Sequence, residues 1–242
     1  MENNVNTPYD DVFRTLLNDC PDLIIPVVND TFGTDYVMGR DEVRKGNNEF
    51  FFTKQDTGQD DIVSDSHIII GDKQYHIECQ STRDGSMVVR MFEYDVQIAM
   101  QHAEKSLDRY TIRFPQSAVL YLRSTKNTPD RMEIRIEAPG DSCMYHIPVL
   151  KIKNYSVEDI FRKKLYFLIP FHIFCYEAFL GQCETDNAKL EQLADIFGNI
   201  RIRLYSLTEN GEISEYYQKA ILTMSEKVIK NIAKKYQKTS EG

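Results

Sequence analysis

The stretch Ser64-Asp65-Ser66-His67-Ile68-Ile69-Ile70-Gly71-Asp72-Lys73-Gln74-Tyr75-His76-Ile77-Glu78-Cys79-Gln80 constrains this chain more than any other. Two arms rich in apolar and β-branched residues flank Gly71-Asp72-Lys73, so the segment reads as a β-hairpin around which a sheet must form. Strand side chains alternate faces: His76, Glu78 and Gln80 share one, while Tyr75, Ile77 and Cys79 share the other, apolar one. A two-residue loop at Gly71-Asp72 sets Asp65 opposite Glu78, and a loop at Asp72-Lys73 sets it opposite Gln80. Either register keeps both carboxylates on one face, whereas a three-residue loop separates them unless a bulge restores the phase. Two carboxylates within about 5 Å repel each other on a sheet unless a divalent cation sits between them. Oxygen ligands with positions left for water and phosphate suit Mg²⁺ or Mn²⁺.

Around this hairpin the chain alternates between periods. Residues Tyr9 to Phe32 space Val12, Phe13, Leu16, Leu17, Leu23, Ile24, Val27 and Val28 at helical intervals, with Pro21 and Pro26 marking breaks. Phe50 to Phe52 reads as a strand, and Asp60 and Asp61 fall in a loop with Gly58. Met87 to Ser106 returns to helix period. Ser117 to Arg123 is a short buried strand, and Met132 to Glu137 and Met144 to Lys151 form a strand pair around Pro139-Gly140-Asp141. Beyond Tyr155 all is helical, opening at Ser156 with Asp159 as a capping box, then running through Asn187 to Leu207 and Ile213 to Tyr236 with Glu209-Asn210-Gly211 between them. The order predicts an α/β protein: a mixed-sheet core flanked by helices over residues 1–155, and a helical extension over 156–242 packed on it.

The 242 residues carry a formal charge of −8, which excludes a chain that coats itself non-specifically in nucleic acid. DNA contact then needs a local basic surface or a metal that cancels acidic side chains. Five cysteines without a C-x-x-C pair suggest neither a disulfide framework nor a zinc knuckle, and reduced thiols in a cytoplasmic protein are the simplest expectation. The first residues carry no basic or apolar leader pattern. The longest apolar stretch, Leu165 to Leu180, is interrupted by Pro170, His172 and Glu177 and is too short to span a bilayer, so the expectation is neither secretion nor membrane insertion.

Asp65, a hairpin, then Glu78-Cys79-Gln80 resembles the PD-(D/E)XK nuclease signature, with Gln80 where Lys is usual. Further segments narrow the resemblance. Tyr75-His76-Ile77-Glu78-Cys79-Gln80-Ser81, Arg90-Met91-Phe92-Glu93-Tyr94-Asp95, the opening Asp10-Asp11-Val12-Phe13-Arg14 and Leu168-Ile169-Pro170-Phe171 are similar to the bacterial recombination-promoting nuclease/putative transposase family of that superfamily. The resemblance runs over most of residues 9–180. It implies a restriction-endonuclease-like fold and metal-dependent DNA cleavage, with Asp65 and Glu78 as metal ligands, the Cys79 carbonyl as a further ligand, and Gln80 as the third catalytic position. Mg²⁺ is the implied cofactor, with Mn²⁺ able to substitute, DNA is the partner, and double-strand cutting would favour a two-fold homodimer. Gln80 can orient a water but cannot neutralise charge as Lys does.

Other positions carry competing readings. In the helix from Met87, the spacing of Phe92, Val96, Ala99 and Ala103 predicts the sheet-facing stripe. Arg90, Tyr94, Gln97 and Gln101 form a second stripe, read as a phosphate-contacting face against the plainer alternative of a solvated one. Asp60 and Asp61 are rival ligands, and Asp10 is either a further ligand or a helix cap. His67 and His76 read as flanking or core imidazoles and Cys79 as a buried small residue. The aromatic run from Tyr166 to Phe179 reads as core or dimer interface, and Lys227, Lys230, Lys234, Lys235 and Lys238 as a solvated helix face.

Overall fold

The computed structural model describes residues 7–46, 49–54, 58–63, 66–82, 85–180, 182 and 187–240. The chain forms two compact units, one made of residues 1–27 with 152–242, the other of 28–151. The sequence-read boundary at 155 lies close to the second crossing. Residues 1–27, however, group with the C-terminal helices, because the apolar face of the first helix packs on aromatic side chains that come much later in the chain.

That helix, α1 (Pro8–Asp19), starts at Thr7, whose side chain accepts from the Asp10 backbone while the Asp10 carboxylate takes the Thr7 N–H at 2.6 Å. Asp10 is thus one half of a capping box. Val12, Phe13, Leu16 and Leu17 are buried. Phe13 meets Phe167 edge-on, with centroids 5.0 Å apart, and Tyr9 meets Phe174 at 4.9 Å. A 3-10 turn follows at Pro21, and α2 (Ile25–Phe32) then carries Pro26 in its first turn, where a missing N–H costs nothing.

The second unit is built on strands β1 (Val43–Lys45), β2 (Glu49–Lys54), β3 (Gly58–Val63), β4 (His67–Ile70) and β5 (Lys73–Gln80), then helix α3 (Met87–Gln101). A two-residue pair, β6 (Glu104–Lys105) and β7 (Tyr110–Thr111), precedes β8 (Gln116–Tyr121), β9 (Arg131–Ala138) and β10 (Asp141–Lys151). Six of these strands form a mixed sheet in the order β1-β4-β5-β8-β10-β9, parallel between β5, β8 and β10 and antiparallel elsewhere. The fold is therefore α/β, a mixed sheet flanked by helices. The parallel β5–β8 step needs a crossover, and α3 supplies it. Ala118 to Tyr121 are all buried, as a doubly covered central strand requires. Residues 58–63, read from sequence as a loop, are instead a strand paired with β2.

In the other unit, Ser156 and Asp159 close the expected capping box on α4 (Val157–Arg162). Tyr166–Tyr176 then winds as 3-10 turns around Pro170, buried through Phe174. After α5 (Glu177–Leu180) come the long helices α6 (Asn187–Glu209) and α7 (Glu215–Ser240), joined by a turn with Gly211 at φ +73°. α7 buries Ile221, Val228 and Ile232 and leaves Lys227, Lys230 and Lys234 exposed, so the basic stretch is a solvated face over these positions. Among the described residues no helix is long and apolar enough to cross a membrane.

Candidate active site

The β4–β5 ladder pairs His67 with His76, Ile68 with Tyr75, Ile69 with Gln74 and Ile70 with Lys73. This leaves Gly71-Asp72 as a two-residue loop, and Gly71 takes the positive φ of +62° that such a hairpin favours in its first loop position. Beyond the ladder a side chain continues the pairing. Ser66 Oγ donates to the Ile77 carbonyl at 2.7 Å and accepts from the Ile77 N–H at 3.0 Å. The register is that of the Gly71-Asp72 loop, the first of the two the sequence allows. Asp65 itself lies outside the described residues.

Alternation along β5 holds. Tyr75 turns to the face where its hydroxyl meets that of Tyr36 at 2.9 Å and its ring meets Phe32, and Ile77 and Cys79 are buried with it. His76, Glu78 and Gln80 share the opposite face, which α3 covers. His76 is fully buried and Glu78 is 4% exposed, so this polar face is an interior one.

What makes that interior tolerable is a chain of hydrogen bonds. His76 Nε2 lies 2.9 Å from Glu78 Oε1, and His76 Nδ1 lies 2.7 Å from Oδ1 of Asp95, itself fully buried on α3. The second Asp95 oxygen accepts from the Tyr145 hydroxyl on β10. An imidazole flanked by two carboxylate oxygens satisfies both only by donating from both nitrogens, that is, as the imidazolium. Burial, the largest single influence, favours loss of the proton, but the charges of Asp95 and Glu78 and their hydrogen bonds together outweigh it and push His76 up to about 10. Burial and then the Asp95 charge hold the Tyr145 phenol protonated far above its usual range. The edge of the Tyr94 ring closes the network, 5.5 Å from the imidazole at 81°.

This network corrects the reading of α3. Its buried residues are Met87, Met91, Tyr94, Asp95, Ile98 and Ala99, whereas Phe92 and Val96 are only half-buried. Met87 and Met91 pack with Val119, Tyr121 and Ile147 of the sheet, and the helix is rotated so that Asp95 reaches His76. Tyr94, assigned from sequence to the phosphate-contacting stripe, is 2% exposed and faces the core. Arg90 and Gln97 are half-buried on the helix flank, and Gln101 is exposed.

The remaining positions sort as follows. Gln80 is half-buried at the end of β5, paired in register with Tyr121 of β8. Asp60 and Asp61 belong to β3, opposite Phe52 and Phe51. His67 is buried, with Nε2 2.9 Å from Gln74 Oε1. Its ring fills the space a side chain at Gly46 would need, so position 46 must lack one. Asp95 and Tyr145 were not found from sequence. The signal for Asp95 was an acid placed between Met91 and Ile98 on an apolar stripe, since a buried carboxylate demands a partner and the nearest polar strand face holds His76. Among the described residues no cluster of three or more His, Cys, Asp or Glu side chains is arranged to cage a metal. Comparison of the chain with family models, curated proteins and solved structures yields no match.

Proposed function

We propose that this chain is a metal-dependent DNA endonuclease of restriction-endonuclease-like fold, linked to recombination or mobile elements and working in the cytoplasm. The observation that carries the reading is the hairpin register, followed as far as Ser66 and Ile77, which keeps Glu78 and Gln80 on one face at the end of β5. Glu78 offers a hard oxygen donor, the kind Mg²⁺ takes in ones and twos alongside water and substrate phosphate. Asp65 and Glu78 would hold the ion, which when bound polarises the phosphodiester and acidifies a water.

The chain's own residues do the rest. His76, held by Asp95, whose other oxygen Tyr145 holds in turn, fixes the Glu78 carboxylate and shields its charge within the fold. Gln80 orients the attacking water through its amide, and Arg90 and Gln97 offer polar contacts to the DNA backbone. Tyr94 is left to packing. A second reading has one observation in its favour: an imidazolium at 2.9 Å already partners Glu78, which weakens that carboxylate as a ligand and suits a nuclease-like binding module without catalysis.

Plasmid nicking separates the two. Supercoiled DNA incubated with the protein and Mg²⁺ should be relaxed or linearised, Mn²⁺ should be at least as effective, and Glu78→Ala and Asp65→Ala should abolish cutting. Gln80→Ala should slow it on the order of 100-fold, the cost of one transition-state contact. An unchanged plasmid with both metals leaves the binding module as the reading.

A further inference from the structure

The β6–β7 ribbon has no part in the network above, yet five of the eight large apolar side chains exposed among the described residues of its unit lie on it or beside it in the chain. Met100, Leu107, Tyr110, Ile112 and Phe114 are all exposed, and Leu107 is 98% exposed at the tip. The ribbon is well formed. Glu104 pairs with Thr111 and Lys105 with Tyr110, and Ser106 donates from both its N–H (2.8 Å) and its hydroxyl (3.2 Å) to the Arg109 carbonyl. Arg113 grips Glu104 with two hydrogen bonds, 2.5 and 3.2 Å, and Phe114 stacks on Phe92 of α3 and touches Tyr145 of β10. A rigid base thus presents an apolar tip to water, an arrangement that marks a contact surface.

The charges around that tip select its partner. Glu104 is consumed by Arg113, and of the three charged residues left from Lys105 to Arg109, Lys105 and Arg109 are cationic and Asp108 is anionic. A chain of net charge −8 therefore carries a surplus positive charge on its most exposed apolar point. Lys105 stands 5.5 Å over the Tyr110 ring, which orders its ammonium beside the tip. Lys105 and Arg109 stand on either side of Leu107, with Ser106 and Asp108 between, so two cations able to meet phosphates bracket an apolar side chain able to meet base edges, and the major groove admits a two-stranded ribbon.

We infer that the β6–β7 ribbon is a duplex-DNA contact, with Lys105 and Arg109 on phosphates and Leu107 against base edges. The inference rests on the nuclease reading and assigns that enzyme a DNA-gripping element in the segment that leads into β8, whose first residue pairs with Tyr75 of β5. Because these side chains are exposed, the variants should fold. Anisotropy of a labelled duplex, titrated with the full chain across a salt series without divalent metal, reads the contacts directly. The double variant Lys105→Ala, Arg109→Ala should reduce the slope of log affinity against log salt by about 1.8, at about 0.9 per phosphate. Leu107→Ser should weaken binding on the order of tenfold with the slope unchanged. If the unaltered protein cuts plasmid while all variants bind duplex with its affinity and slope, this inference falls and the nuclease reading stands. If the unaltered protein neither binds duplex nor cuts, both fall. If Leu107→Ser converts a sedimenting dimer to a monomer while duplex affinity holds, the ribbon joins two copies of the chain and the DNA assignment is overturned.

Discussion

A buried histidine in each unit, His76 in one and His172 in the other, meets the opposite fate: the first is charged and the second neutral. His76 is fully enclosed on the sheet face and is held protonated, up to about 10. His172, 2% exposed in the 3-10 segment of the other unit, is pushed by burial down to about 4. His172 has the Cys175 thiol 3.4 Å from Nδ1 and the edge of Tyr176 beside its ring, and its Nε2 makes no hydrogen bond among the described residues. Removal from water acts against the charge in both places. Two carboxylates reverse the outcome at His76, and nothing opposes it at His172. The sheet face is thus an interior organised around charge, the 3-10 segment one organised around its absence.

The contrast breaks most sharply at Asp95. Asp95→Ala strips the imidazolium of its shorter carboxylate contact and should cost about 3–5 kcal/mol in urea unfolding, the penalty for halving a buried ion pair. His172→Leu should cost under about 1 kcal/mol or stabilise, because it removes a buried nitrogen that has no partner. Equal losses at the two positions would refute the contrast.

Next in size is the acid limb of stability. The unfolded His172 protonates near 6.5 and the folded one near 4, so the unfolded chain takes the proton first and stability falls as pH drops through that window. Thermal melts should show the unaltered protein losing about 3 kcal/mol relative to His172→Leu between pH 6.5 and 4. The sign at His76 is reversed. Its contribution is complete below 6.5 and is lost as pH climbs through about 10, so the His172 variant should leave the alkaline limb where it was.

Smaller effects sharpen the picture. Tyr145→Phe removes one hydrogen bond to a buried carboxylate and should cost about 2 kcal/mol in the same urea assay. Ser66→Ala, which loses the paired bonds to Ile77, should cost about 1 kcal/mol, and a loss as large as that of Asp95→Ala would mean the register depends on that hydroxyl.

The hairpin was legible from sequence because its determinants are local: a glycine able to take positive φ, alternating faces, and β-branched arms. The capping box at Ser156 and Asp159 and the turn at Gly211 are local in the same way. The rotation of α3 was not, since Phe92-Val96-Ala99 and Met87-Met91-Ile98 are both plausible apolar stripes, and the choice between them lies with His76, many residues away. The strand at 58–63 hid behind two aspartates and a glycine that individually disfavour strands, and pairing with β2 overrode them. The aromatic run after Leu165 has no single period because Pro170 interrupts it and nearly every side chain is buried, so only its place in a core could be read.

The grouping of residues 1–27 with 152–242 also has a consequence in time. When Val12, Phe13, Leu16 and Leu17 leave the ribosome, the aromatic surface that covers Phe13 begins at Phe167 and has not yet been made. At roughly 5–20 residues per second the wait is on the order of 10–30 s. Throughout it the first helix has an uncovered apolar face, while the sheet between the two halves can already fold. During synthesis, then, the sheet unit is the part that can finish alone, and the helical unit is completed only by the last third of the chain.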